Sequence, residues 1–232
     1  MTKQPSATLT PLAMSALALL EERPMHPYEM YQLLLQRRED YIVKIRPGSL
    51  YHTVTRLAEQ NLVHAEGTNR AGNRPERTTY GITEAGRTAL RTRIAEILRK
   101  PVNEYPIFPV AMSEAHDLPA GEVIALLTER IGWLDTHIAE MDAVLAFLPV
   151  KGVPRRYWMV MEYLRAQADS EATWLRRIVR ELRDGTLEWE QYTPEGVRIT
   201  DATDDFGPDW GAAVTDDVLA QLRKGGVLPA EQ

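Results

Sequence analysis

Arg46-Pro47-Gly48-Ser49-Leu50-Tyr51-His52-Thr53-Val54-Thr55-Arg56-Leu57 is the stretch on which the reading of the whole chain turns. Pro47 suits a first helical turn, and Gly48 leaves room for another backbone or a phosphate to come close. Leu50, Val54 and Leu57 recur at i, i+4, i+7 and predict a face turned to a core. Ser49, His52, Thr53 and Arg56 recur at i, i+3, i+4, i+7 on a second face that is short, polar and ends in arginine. Such a face can hydrogen-bond to base edges and phosphates in a DNA major groove. The plain alternative is an amphipathic helix with one solvated side.

The residues that follow favour the first reading. Asn61-Leu62-Val63-His64-Ala65-Glu66-Gly67 and Arg77-Thr78-Thr79-Tyr80-Gly81-Ile82 read as two short strands, joined by a turn-rich segment that carries Arg70, Asn73 and Arg74. A helix, a turn and a hairpin with a basic tip is the order expected of a winged helix, whose wing lies along the DNA backbone. The chain resembles the PadR family of bacterial winged-helix transcriptional regulators. The resemblance rests on His26-Pro27-Tyr28-Glu29-Met30, Gly48-Ser49-Leu50-Tyr51 and Tyr80-Gly81-Ile82-Thr83-Glu84-Ala85-Gly86, and extends over about residues 9 to 100. Pro27 departs from the glycine usual at that point of the family.

The resemblance implies a DNA-binding regulator with a C-terminal helical domain for dimerisation, commonly a repressor released by phenolic or hydrophobic planar compounds. It also places Tyr28 and Tyr51 at positions near the DNA backbone. The DNA-binding set expected is therefore Tyr28, Ser49, Tyr51, His52, Thr53, Arg56, Arg70, Asn73, Arg74 and Arg77.

A chain of 232 residues with 44% hydrophobic content can bury a core, and it divides in this reading into two domains plus a tail. No signal peptide precedes the globular pattern and no apolar run approaches the roughly 20 residues of a membrane span, so a cytoplasmic protein with no membrane partner is expected. The absence of cysteine excludes disulfides, thiol catalysis and thiolate zinc sites. The net charge of −6 conceals an asymmetry. Residues 1 to 100 hold 15 Lys+Arg and 10 Asp+Glu, a net +5, whereas the remainder hold 12 and 23, a net −11. Halves of opposite sign imply one domain that meets a polyanion and one that does not.

In chain order, Thr10 or Thr8 can cap a first helix, His26-Pro27 opens a second, and Thr83-Glu84 starts a fourth that runs to Pro101. This completes a winged-helix domain over 9–100; residues 101–118, with three prolines among them, read as a connector. Ile124, Leu127, Ile131, Leu134, Ile138, Met141, Leu145 and Leu148 then form an unbroken heptad seam. Pro149 to Pro154 break it. A second seam follows through Tyr157, Met161, Leu164, Ala168, Leu175, Ile178 and Leu182, interrupted where Glu171 falls on the register. Two long helices with a short loop predict an antiparallel hairpin over 119–184. Apolar residues off the seam, Val123, Trp133, Trp158, Val160, Trp174 and Val179, call for burial against a second subunit. Ile124, Leu127, Ile131, Leu134, Leu164, Leu175, Ile178 and Leu182 are the expected dimerisation residues.

The fold class expected is thus mainly α with a small β-hairpin wing, a winged helix-turn-helix followed by a helical dimerisation hairpin. Residues 185–232 are an extension beyond the resemblance, with a strand pair around Leu187–Tyr192 and Val197–Ile199 and a last helix capped at Thr215. Trp189, Tyr192, Phe206 and Trp210 argue against a purely disordered tail.

No phosphate-binding glycine loop, metal-spaced histidine pair or serine elbow is present, so no enzyme, metal or cofactor is expected. Of the five histidines only His52 shares a face with other candidate residues; the rest read as structural or solvated. Two functions compete: a homodimeric repressor on an inverted-repeat DNA operator, and a winged helix used as a protein-interaction module. For a small aromatic effector, the connector aromatics Tyr105 and Phe108, with Trp158, are the candidate lining, although each is also an ordinary core residue.

Overall fold

A computed structural model describes residues 9–69, 77–193, 197–199 and 215–225, and the chain forms two compact units, Met1–Glu104 and Tyr105–Gln232. The first is a winged helix. Helix α1 (Pro11–Glu22) is capped by Thr10, whose hydroxyl accepts the Ala13 N–H at 3.3 Å. Helix α2 (Pro27–Gln36) follows, and Pro27, far from disturbing it, is buried at its first position, where no N–H is needed. Arg38, in the left-handed region at φ 60°, turns the chain into a 3-10 turn at Glu39–Tyr41. Helix α3 (Pro47–Glu59) comes next, then strands β1 (Val63–Asn69) and β2 (Arg77–Ile82), then helix α4 (Glu84–Arg99).

The core of this unit is a single cluster in which Leu50, Val54 and Leu57 of α3 meet Leu17 and Leu20 of α1, Met30 and Leu34 of α2, Val63, Ile82 and Leu90. The predicted inner face of α3 is therefore its inner face. β1 and β2 pair antiparallel from Val63 opposite Ile82 to Asn69 opposite Arg77, with an irregularity between Ala65 and Gly67. One partner had no sequence signal: Met25 exchanges both backbone hydrogen bonds with Tyr80, each 3.1 Å, and adds a single-residue third strand.

The motif from Tyr80 to Gly86 closes the wing onto the helices. Thr83 Oγ1 accepts the Gly86 N–H at 3.0 Å and lies 3.0 Å from the Leu62 carbonyl, to which it donates. A Cβ at position 86 would stand 2.1 Å from that carbonyl oxygen, so only glycine permits the approach.

The second unit is a helical hairpin with a base. It comprises α5 (Ile107–Ser113), a 3-10 turn at Ala115–Asp117, α6 (Ala120–Val150) and α7 (Met159–Asp184), then β3 (Gln191–Tyr192), β4 (Arg198–Ile199) and α8 (Asp216–Lys224). Helix α6 runs one residue past Pro149, which sits inside its last turn. Gly185 ends α7 in the left-handed conformation at φ 75°. The residue that interrupts the second seam has a partner: Glu171 accepts a 2.6 Å hydrogen bond from Arg130 of α6. Arg165 and Asp142 at 2.9 Å, and Arg176 with Asp135, make the same α7-to-α6 link.

The base is built from more than the two seams. Phe108 and Met112 of α5 and Leu187 and Trp189 beyond α7 pack against Val123, Leu127, Leu175, Val179 and Leu182. Trp189 Nε1 donates to the Leu118 carbonyl at 2.8 Å, and the Tyr192 hydroxyl donates to the His116 carbonyl at 2.6 Å. The first residues of the extension thereby tie the connector to the hairpin. Phe206 and Trp210 lie outside the described residues.

These contacts revise the assembly residues. Leu175 is 0% exposed, and Leu127 and Leu182 are also buried in the chain's own core, so they offer no surface to a second copy. Ile124, Ile131, Leu134 and Ile178 pack against that core, and Leu164 is half-buried. Val123 and Val179, expected off the seam, belong to the core because α5 and the post-α7 segment widen the covered stripe there. Among the off-seam residues, Trp133, Val160 and Trp174 stay exposed, Trp133 to 78%.

Candidate nucleic-acid interface

The outward side of α3 is open along its length. Gly48, Ser49, Tyr51, His52, Thr55 and Arg56 are all exposed, while Thr53 is half-buried, in a crevice lined also by Leu9, Thr10 and Ala13 at the start of α1. The polar face thus lies further round the helix than the spacing of Ser49, His52, Thr53 and Arg56 implies. Its middle is Tyr51, His52 and Thr55. Thr55 was missed by the sequence reading; its hydroxyl donates back to the Tyr51 carbonyl at 3.1 Å, which orients its oxygen on the exposed surface. A Cβ at Gly48 would meet nothing within 4 Å, so a phosphate could approach the first turn unobstructed.

Charge is distributed to match. Elsewhere on the winged helix several arginines are neutralised: Arg37 bonds Glu22 at 2.8 Å, Arg23 pairs with Glu29, and Arg87 with Glu21 and Glu84, whereas Arg38 and Arg99 make no ion pair among the described residues. Hydrogen bonding to Arg37 holds the Glu22 carboxyl below its ordinary range, and Arg23 does the same for Glu29, in each case against partial desolvation. Glu39 is pushed the other way by burial, opposed by the Ser15 hydroxyl. Lys44, Arg46 and Arg56, which lead into and line α3, are exposed and make no ion pair among the described residues.

Tyr28 at the start of α2 is 50% exposed and Tyr51 42%. Of the wing candidates, Arg70, Asn73 and Arg74 lie outside the described residues, and Arg77 is described only as backbone paired with Asn69. The sequence of residues 16–92 matches the model of the transcriptional regulator PadR-like family.

Over those residues the chain is similar to the PadR-like family. Solved structures extend the likeness in fold. Bacillus subtilis PadR, solved in complex with operator DNA, is 15% identical, with a TM-score of 0.60 over 74% of this chain and 98% of its own. The Vibrio cholerae virulence activator AphA is 18% identical, with a TM-score of 0.54 over 75% of this chain and 99% of its own. The Bacillus subtilis protein solved with p-coumaric acid is 15% identical, with a TM-score of 0.57 over 78% of this chain and 99% of its own. No curated protein matches the sequence. These PadR-like folds are used up over about three-quarters of the chain.

The aromatic candidates of the second unit do not converge. Tyr105 is 82% exposed, in the left-handed region at φ 49°, whereas the Phe108 ring is packed on the hairpin base with the Arg130 guanidinium 3.7 Å from its centroid. Trp158 lies at the other end of the hairpin, where its Nε1 donates to the Val153 carbonyl at 2.9 Å. About 20 residues of α6 separate Arg130 from the turn that Trp158 follows, which is roughly 30 Å at 1.5 Å per residue. Glu114, His116 and Asp117 form an exposed to half-exposed cluster of metal-ligating types, with His116 Nδ1 2.9 Å from the Ser113 carbonyl. No helix among the described residues is long and apolar enough to cross a membrane.

Proposed function

We propose that the chain is a DNA-binding regulator that works as a homodimer on an inverted-repeat operator, and that it represses until a small aromatic effector releases it. One observation carries the DNA reading: Lys44, Arg46 and Arg56, leading into and lying on the exposed face of α3, form a run of cations with no ion pair among the described residues, whereas Arg23, Arg37, Arg87, Arg91 and Arg93 of the same unit are matched by carboxylates. Cations without partners cost little in water and gain most against phosphate, where each releases a counterion. The division that goes with this reading is a winged helix over 9–100, a connector over 101–118, a dimerisation hairpin over 119–184 and an extension over 185–232.

The dimer reading is supported by the apolar surface left open on the hairpin, including Trp133 and Phe147 on α6 and Val160, Tyr163 and Trp174 on α7. Covering such surface is worth about 25 cal/mol per Å². A twofold dimer would set its two α3 helices about one duplex turn, roughly 34 Å, apart. That Bacillus subtilis PadR has been solved with p-coumaric acid makes planar aromatic acids the class to test for release.

A labelled duplex spanning the promoter of its own gene, titrated at two salt concentrations, tests the function. Binding whose affinity falls steeply with salt is expected. Absence of salt-dependent binding to any duplex would overturn it in favour of a protein-interaction module. Adding hydroxylated aromatic acids to the bound complex tests release in the same cell.

A further inference from the structure

His26 stands where the three working parts of the winged helix meet. The residue before it, Met25, is 1% exposed and locked to Tyr80 of the wing strand β2 by two 3.1 Å backbone hydrogen bonds. The residue after it, Pro27, is buried at the first position of α2. Between these fixed points two contacts of the imidazole bear on the DNA-binding elements. Nδ1 accepts the Tyr28 N–H at 3.1 Å, capping α2, and the ring meets the Tyr51 ring edge-on, centroids 5.8 Å apart at 74°. Tyr51 is on the exposed face of α3, and Tyr28 is the residue whose N–H is bound. The His26 side chain thus joins α2 to α3, and the backbone of its neighbour Met25 ties the same segment to the wing strand.

We propose that His26 is a positioning residue for DNA recognition, holding the Tyr51 ring and the Tyr28 backbone in register with the wing, and that it does so as the neutral imidazole. The proposal rests on the DNA-binding reading above. An imidazole that accepts at Nδ1 carries its proton on Nε2, whereas the imidazolium carries a hydrogen on both nitrogens and cannot accept. Protonation therefore breaks the cap and places a cation at the positive end of α2. The charged and titratable groups around it are the Glu29–Arg23 pair on its α1–α2 side, Tyr28 on α2, Tyr51 on α3 and Tyr80 on β2. The carboxylate of Glu29 is already engaged by Arg23.

Asparagine can supply the cap oxygen without the ring. We expect His26→Ala to lower operator affinity about tenfold and His26→Asn about threefold, with thermal unfolding of His26→Asn unchanged. If the ring acts through Tyr51, the losses of His26→Asn and Tyr51→Ala do not add, and that double variant binds as Tyr51→Ala does. Between pH 7.5 and 5.5 wild-type affinity should fall relative to His26→Asn. Additive losses, or His26→Ala binding as wild type, overturn the proposal. Arg46→Ala with Arg56→Ala is the control that separates the two failures. If that variant loses DNA while His26→Ala does not, only the role of His26 is refuted. Should the arginine variant also bind as wild type, the DNA-binding reading itself fails.

Discussion

Helices α3 and α7 are both amphipathic and both carry arginine on their polar sides, yet they use it differently. On α7, Arg165 and Arg176 reach carboxylates of α6, and Glu171 takes the Arg130 guanidinium, so charge there closes the hairpin on itself. On α3, Arg56, and Arg46 just ahead of it, reach no carboxylate among the described residues. Both sets look alike as letters. A cation satisfied within the chain stabilises the fold by little, because surface pairs are worth up to about 1 kcal/mol. One left unsatisfied at an exposed face contributes to an encounter with an anion instead.

The largest effect should come from the apolar side of the contrast. Leu175→Lys buries an ammonium at a fully covered site and is expected to unfold the hairpin, at a cost of about 3–5 kcal/mol read by urea denaturation. It leaves the winged helix intact by circular dichroism if the two units fold independently. Gly86→Ala does the reverse: its methyl meets the Leu62 carbonyl, and about 2 kcal/mol should be lost from the winged helix alone.

The charge contrast is sharpened next. Arg46→Ala with Arg56→Ala should leave the melting temperature unchanged, weaken every duplex about 10- to 100-fold and reduce the salt slope by about 2. Arg130→Met, its counterpart on the hairpin, should cost about 1 kcal/mol of stability and leave DNA affinity as it is. If Arg130→Met weakened DNA binding as much as the α3 pair, the distinction between paired and unpaired cations would fall.

The smallest effect is a pH dependence. Glu22 and Glu29 have carboxyls held below the ordinary value of 4.5 by Arg37 and Arg23. A depressed carboxyl contributes stability above its unfolded value and loses it as pH falls through the lower folded value. Stability of the winged helix should therefore decline below pH 4.5, and Arg37→Ala should flatten the decline in a series of melts at stepped pH.

Much of this was legible in the chain as written. The inner face of α3, the Thr10 and Thr83 caps, the α6–α7 hairpin and the β3–β4 pair follow from periodicity and local hydrogen-bonding chemistry, which act within a few residues. The opposing charges of the two halves are composition alone. Tertiary structure decided the rest, because each remaining feature joins residues far apart in sequence. Thr53 is half-covered since α1 begins beside it, Met25 pairs with Tyr80 across the whole helix-turn-helix, and Glu171 is answered by Arg130 from another helix. Periodicity says which side of a helix is apolar. It does not say how wide a stripe its neighbours will cover, and that width made Val123 and Val179 core while it left Trp133 in water.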